Sequence, residues 1–184
     1  MNPNDLRKPL QIGEIDFRVQ SISASGWATI LAYKNARVDM ERLDSVLGCG
    51  FWTRKHEVIN GHLFCSVGIW NKELNQFVYV QDVGVESNQA SEKGEASDSF
   101  KRACFNLGIG RELYNFPLIL VKLQTTEFSI EGNKGKQTYE LRIKDWTWYL
   151  ENTPTGEVTF LAAQDDKLLV RWKWGNRNAK TETK

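Results

Sequence analysis

The chain has 184 residues, a net charge of +1 at neutral pH, 41% hydrophobic residues and 11% aromatic residues. That length is enough for one real core, and no apolar run approaches the roughly 18 residues a membrane helix needs. The near-neutral total argues against a uniformly basic nucleic-acid binder, yet acids cluster over 82–98 while 101–111 and 167–180 are basic and acid-free. Local potential governs phosphate affinity more than the total does.

The first residues carry no apolar signal core, and Cys49, Cys65 and Cys104 fit no disulfide framework. A soluble protein in a reducing, cytoplasmic compartment is therefore expected. Apolar Ile12, Ile15, Phe17 and Val19 predict a short helix over 12–21. Residues 26–33 read as a strand. Residues 37–47 place Val38, Leu43, Val46 and Leu47 on a helical stripe, closed by Gly48. Three strands follow, over 52–58, 62–70 and 76–83. Asn60-Gly61 is the strongest hairpin signal in the chain, and short connections make the three an antiparallel meander. The next helix, 91–107, repeats Ala96, Phe100, Ala103, Cys104 and Leu107 at three- and four-residue steps. Ser91 is its expected cap, and Gly108 and Gly110 stop it. Beyond Pro117 the expectations are strands over 118–123 and 139–143 with a loop at 131–136 between them. A helical turn over 145–150 and a hairpin of 158–162 with 168–174 complete the series. The fold class is α+β: a meander packed on a long helix, an N-terminal strand–helix unit and a C-terminal β-rich extension. One domain is expected over 1–174, with a flexible polar tail over 175–184.

Lys101 and Arg102 fall off the apolar stripe of their helix, and Arg111 follows without an intervening acid. Arginine offers phosphate a planar fork and lysine a point charge, although the same pattern suits a solvated helix face. Arg37 opens the earlier helix, where a cation opposes the macrodipole. It calls for an anionic partner, either a phosphate or the neighbouring Asp39 or Glu41. In 168–180, Trp172 and Trp174 alternate with Arg171 and Lys173. That alternation suits base stacking as well as core packing. Cys49, His56, His62 and Cys65 match no zinc-site spacing, GNKGKQT fails as a phosphate loop, and GIGREL fails as a dinucleotide fingerprint. No nucleophile–base pair stands out, so no catalytic residue, metal or other cofactor is expected. Asp82, Glu86, Glu92, Glu95 and Asp98 suit a solvated loop and helix face, or the metal site of a nuclease.

Several short motifs follow one another along the chain: the helix opening with Arg37, Gly48 to Trp52, the meander ending Asp82-Val83-Gly84, and the helix with Lys93, Glu95-Ala96, Asp98 and Phe100-Lys101-Arg102-Ala103 closing at Gly108. Taken in order, they resemble the Rad-fifty-two family of single-strand annealing proteins. Ile15 to Ser21, Ala32-Tyr33 and Arg42-Leu43-Asp44 are similar to the compact phage branch. The resemblance covers about 10–114. It implies a non-enzymatic, ATP-independent annealer of complementary strands in recombination and repair, assembled as a homo-oligomeric ring that holds single-stranded DNA by its backbone. By position it makes Arg37, Lys101 and Arg102 groove phosphate contacts and Lys93 a further basic position; Arg111 joins them on charge alone. Phe105 stands where the eukaryotic pattern has another arginine, and the loop after Asp82 is shorter. No recombinase-recruiting region and no membrane partner are expected; the setting would be a bacterial host cytoplasm if the protein is phage-encoded. The alternatives are a metal-dependent DNA-end nuclease using Asp82, Glu92 and Glu95, and a module that protects DNA ends without annealing.

Overall fold

In the computed structural model, residues 3–85 and 91–177 are described, with side chains over 4–85 and 94–177. In chain order, strands β1 (Asp16–Ser23) and β2 (Trp27–Tyr33) come first, then helix α1 (Ala36–Leu47). The strands β3 (Trp52–Ile59), β4 (His62–Asn71) and β5 (Gln76–Val83) lead to helix α2 (Ser91–Leu107). There follow β6 (Ile119–Lys122), β7 (Phe128–Glu131), β8 (Lys134–Gln137), β9 (Thr147–Asn152), β10 (Val158–Gln164) and β11 (Val170–Gly175). The fold is α+β with antiparallel sheets. Two compact units divide the chain: Met1–Pro9 with Lys34–Arg111, and Leu10–Tyr33 with Glu112–Lys184.

The first unit is the meander β3-β4-β5 with both helices. Asn60 (φ 52°) and Gly61 (φ 80°) turn the chain between β3 and β4, which then pair without a break from Ile59↔His62 to Trp52↔Ile69. Positive φ at both central residues matches the right-handed twist of the strands, which is why Asn-Gly serves here. Residues directly opposite share a sheet face. Cys65 and Val67 therefore point inward with their partners, and they meet Phe100, Ala103 and Cys104 of α2 in a fully buried cluster. Leu43 and Leu47 of α1 close that cluster, as does Leu6 from a short 3-10 turn, Pro3–Arg7. Burial of each large apolar side chain contributes roughly 1.5–3 kcal/mol. The Asn35 side chain caps α1 by accepting the Arg37 N–H at 2.9 Å, and Gly48 (φ 89°) ends the helix. The Ser91 side chain, the expected cap of α2, lies outside the described side chains.

The second unit holds a five-stranded sheet, β6-β2-β1-β8-β7, and a three-stranded sheet, β11-β10-β9. Ala28, Ile30 and Val121 from one sheet and Leu161 and Ala163 from the other share one core. The Phe17 and Trp148 rings stack there with centroids 3.6 Å apart.

Four sequence expectations need correction, and all fall in this unit. Residues 12–21 are not a helix: a 3-10 turn, Ile12–Glu14, leads straight into β1. Ile15, Phe17 and Val19 alternate with polar residues, and that period of two outweighs the single Ile12–Ile15 step. The stretch 131–136 is not a loop but the hairpin of β7 and β8, turned at Gly132 (φ 60°). Residues 139–143 form no strand: Leu141 and Ile143 are buried as plugs between turns. Residues 145–150 are not helical either. A 3-10 turn ends at Asp145, and β9 points Trp148 and Leu150 at the core while Thr147 faces out. Of the expected tail, 178–184 lie outside the described residues.

Arg171 also lies in the second unit. Its guanidinium donates to both Glu127 carboxylate oxygens, at 2.8 and 2.7 Å, and to Asp165 Oδ2 at 3.2 Å. It also stacks 4.7 Å from the centre of the Trp146 ring. Both carboxylates are buried. Removing the cation strands two buried charges, so Arg171→Ala should cost about 3–5 kcal/mol. Urea denaturation checks this; a loss under about 1 kcal/mol, the range of an exposed pair, would show that the site is effectively solvated.

Candidate nucleic-acid interface

Lys34 sits just before the cap of α1 and is 1% exposed; Asp39, one turn in, is 0% exposed. The Lys34 ammonium donates to Asp39 Oδ1 and reaches the Lys101 carbonyl oxygen at 3.5 Å. It also lies 4.3 Å from the centre of the Phe105 ring. Among the described residues Asp39 Oδ2 is buried with no hydrogen-bond partner by geometry, and the Cys104 thiol bears on the same carboxylate. The first turn of α1, which carries Arg37, is thus tied to the stretch of α2 that carries Lys101. Burial pushes the Asp39 carboxyl up from 3.8 to about 6, against the opposing pull of Lys34. Burial likewise drives the Lys34 ammonium below its ordinary value, against Asp39. The Cys104 thiol is pushed well up by burial, with Asp39 adding to it, so it is an inert core group.

The surface cations divide by what they touch. Arg37 is exposed and has no ion-pair partner among the described residues. Asp39, its expected neighbour, is taken by Lys34. Arg102 Nε meets Asp98 Oδ2 at 2.9 Å, and Lys101 Nζ stands 3.9 Å from Asp98 Oδ1. Asp98 thus stands beside both cations. These pairs are partly exposed and worth about 0.2–1 kcal/mol, little enough for a phosphate to displace. Arg111 is committed differently. It donates to the Phe105 carbonyl at 3.1 and 2.8 Å and to the Asn106 carbonyl at 2.9 Å, closing the C-terminus of α2. The Lys93 side chain lies outside the described side chains.

Two cations escaped the sequence reading. Lys34 precedes a cap and reads as loop; only its place before Asn35, with Asp39 five residues on, hinted at a link to the helix. Arg54 lies on β3 opposite Val67 and so faces the helices, 5.0 Å from the centre of the Phe100 ring. Its inward aim follows from the strand register, which the alternation of β3 alone does not fix.

The remaining candidates are accounted for one by one. Glu95 Oε1 accepts the Leu63 N–H at 3.0 Å, and Asp82 Oδ2 accepts from Asn106 at 3.2 Å. The side chains of Glu86 and Glu92 are outside the described ones. His56 Nε2 lies 3.0 Å from the Ala96 carbonyl oxygen, and Cys65 is buried. Among the described residues no three His, Cys, Asp or Glu side chains gather as metal ligands would. Trp172 packs on the core of the second unit, whereas Trp174 is 42% exposed. No helix among the described residues is long and apolar enough to cross a membrane.

What the fold and this site define is an α+β protein with displaceable cations on a helix tied to the first turn of another. No family model matches the sequence. A 92-residue stretch is 36% identical to the single-stranded DNA-binding protein DdrA of Deinococcus radiodurans. The match covers 49% of this chain and 43% of that protein, so the chain spans less than half the length of this relative.

Asp39→Ala should destabilise by about 3–5 kcal/mol because Lys34 is left buried and unpaired, while Lys34→Met with Asp39→Leu should be neutral or stabilising by about 1–4 kcal/mol. Comparing urea midpoints of the two variants tests this, and equal losses would refute it. Folding favours the protonated Asp39 carboxyl. That contribution is complete below about pH 3.8 and is lost as pH rises through about 6. The carboxyl carbon of Asp39, followed by NMR, should accordingly titrate near pH 6; a midpoint near 4 would mean that it is hydrated.

Proposed function

We propose that the first unit binds single-stranded DNA through its backbone, with Arg37, Lys101 and Arg102 contacting phosphates, and that the protein anneals complementary strands without ATP. The observation that carries this reading is the Lys34 bridge. It holds the helix turn bearing Arg37 against the stretch bearing Lys101 and Arg102, which are both partly exposed beside Asp98. The likeness to a protein named for single-stranded DNA binding supports the ligand. The ordered motifs of the Rad-fifty-two family support annealing and a ring of subunits. Lys93 belongs to the same set by position.

The proposed mechanism is electrostatic. Each phosphate neutralised releases a counterion, so affinity falls with salt in proportion to the contacts made. A strand held by phosphates keeps its base edges free to pair. A ring repeats a weak site in register, and avidity replaces tight contact at any one subunit. No bond is made or broken, so no catalytic residue, metal or cofactor enters. The likeness to a protein named for binding single-stranded DNA also favours a second reading, in which the protein binds strands without annealing them.

Lys101→Ala and Arg102→Ala should each weaken binding to unrelated single-stranded sequences about equally and flatten the salt slope by roughly one unit or slightly less. Arg111→Ala should lower stability instead and leave the slope alone, because its guanidinium caps a helix. Unchanged slopes for both Lys101→Ala and Arg102→Ala would remove the assignment. Faster duplex formation from two complementary oligonucleotides separates annealing from binding alone. A monomer by light scattering at working concentration would contradict the ring.

A further inference from the structure

The outward face of the five-stranded sheet carries a second surface of different chemistry. In β2, Ala28 and Ile30 point into the core of the second unit, so Trp27 and Thr29 point away from it. The register places Lys122 opposite Trp27, Leu120 and Ser21 beside Thr29, and Lys134 opposite Ser23, all on that same face. Trp27 is 47% exposed. The Lys122 ammonium lies 5.6 Å from its ring centre and donates to the Ser25 carbonyl. A groove of about 570 Å³ runs from Trp27 across Thr29, Ser21 and Ser23 to Asn133 and Lys134.

We infer that this groove binds an unpaired polynucleotide strand, with a base stacked on Trp27 and its flanking phosphates on Lys122 and Lys134. An indole open to water on a sheet forgoes the burial that tryptophan usually finds, and its π face accepts any base. Two cations stand within the groove or at its edge, and polar Ser21, Ser23, Thr29 and Asn133 line the floor between them. Among the described residues the acids on the same face are Asp16, at the far end of β1 opposite Tyr33, and Glu131. Glu131 lies opposite Lys134 in the register but is bonded to Lys136 at 2.9 Å, and with Lys122, Lys134, Lys136 and Arg18 against these two acids the balance of the face stays positive. Farther along β1, Arg18 lies 5.4 Å from the centre of the Tyr33 ring and extends the same cation–aromatic pattern. A duplex keeps its bases stacked inside, so the ligand class is single-stranded. This site is independent of the one proposed for the first unit.

The test uses the full chain and fluorescein-labelled oligo-dT, in the parent and in the Lys101→Ala/Arg102→Ala background. Trp27→Ala should lower affinity by about 5- to 150-fold in both backgrounds, and Trp27→Phe should recover most of it. Lys122→Ala with Lys134→Ala should flatten the salt slope while leaving duplex binding unchanged. Undiminished oligo-dT binding by Trp27→Ala in both backgrounds overturns the inference. So does a change in particle mass with DNA binding intact, which would make this face a contact between protein chains. If Trp27→Ala lowers the urea midpoint, the double lysine variant decides, and an unchanged slope there overturns the inference. The first-unit reading fails separately, if Lys101→Ala/Arg102→Ala binds like the parent.

Discussion

A buried ion pair between Lys34 and Asp39 fixes how the two helices of the first unit meet. Taking two charges out of water costs several kcal/mol per ion, and attraction between them repays this only when their remaining hydrogen bonds are made. Here the repayment is incomplete, since among the described residues Asp39 Oδ2 has no hydrogen-bond partner by geometry, and both groups are driven toward their neutral forms. A pair of this kind is a weak source of stability. What it supplies is specificity: Lys34 reaches the Lys101 carbonyl oxygen only when α1 and α2 stand in one register. An apolar pair of the same volume would tolerate sliding by a residue, and the side chains on either helix would move with it.

The same electrostatics separates structural cations from available ones. Arg171 is bound by two buried carboxylates and an aromatic face, and extracting it would strand both acids. Arg111 closes three hydrogen bonds to helix carbonyls, which gives it a cap's work to do. Lys101 and Arg102 share one partly exposed carboxylate, and the cost of leaving it is a fraction of a kcal/mol to about one. An ion pair that is partly exposed is far cheaper to exchange than one whose carboxylates are buried. Formal charge gives these arginines and lysines equal weight, whereas burial and partner count do not.

The first unit was legible in the sequence because its signals are local. Asn60-Gly61 fixes a hairpin without outside help, and the Ala96–Leu107 stripe is long enough for the helical period to be unambiguous. The second unit was not, because its strands are short and pair across long separations. β1 pairs with β8 more than a hundred residues later, and four residues of period-two pattern cannot distinguish a strand from a turn. Trp146, Trp148 and Leu150 read as a helical turn because only the opposing β10 makes their alternation meaningful. Of the site, Arg37 stood out as a cation at a helix N-terminus, and Lys101 and Arg102 as an adjacent pair off the apolar stripe of their helix. Lys34 did not, since a lysine before a cap looks like any loop lysine until a carboxylate one turn away and a carbonyl on another helix are placed beside it.

Phosphate contacts and base stacking act on a bound strand in opposite senses. A strand held along helix cations by its phosphates loses backbone freedom while its Watson–Crick edges stay exposed, so meeting a complement costs it less entropy. A base stacked on an exposed indole has one face covered, and pairing into a duplex requires it to stack on its neighbours instead. Each such contact is worth about 1–3 kcal/mol, comparable to a single step of duplex stacking. On the proposed reading, a strand on the helix cations would be presented for pairing, and a strand on Trp27 would be held back from it. The balance between two such modes would depend on salt, because only the first would draw nearly all of its affinity from counterion release.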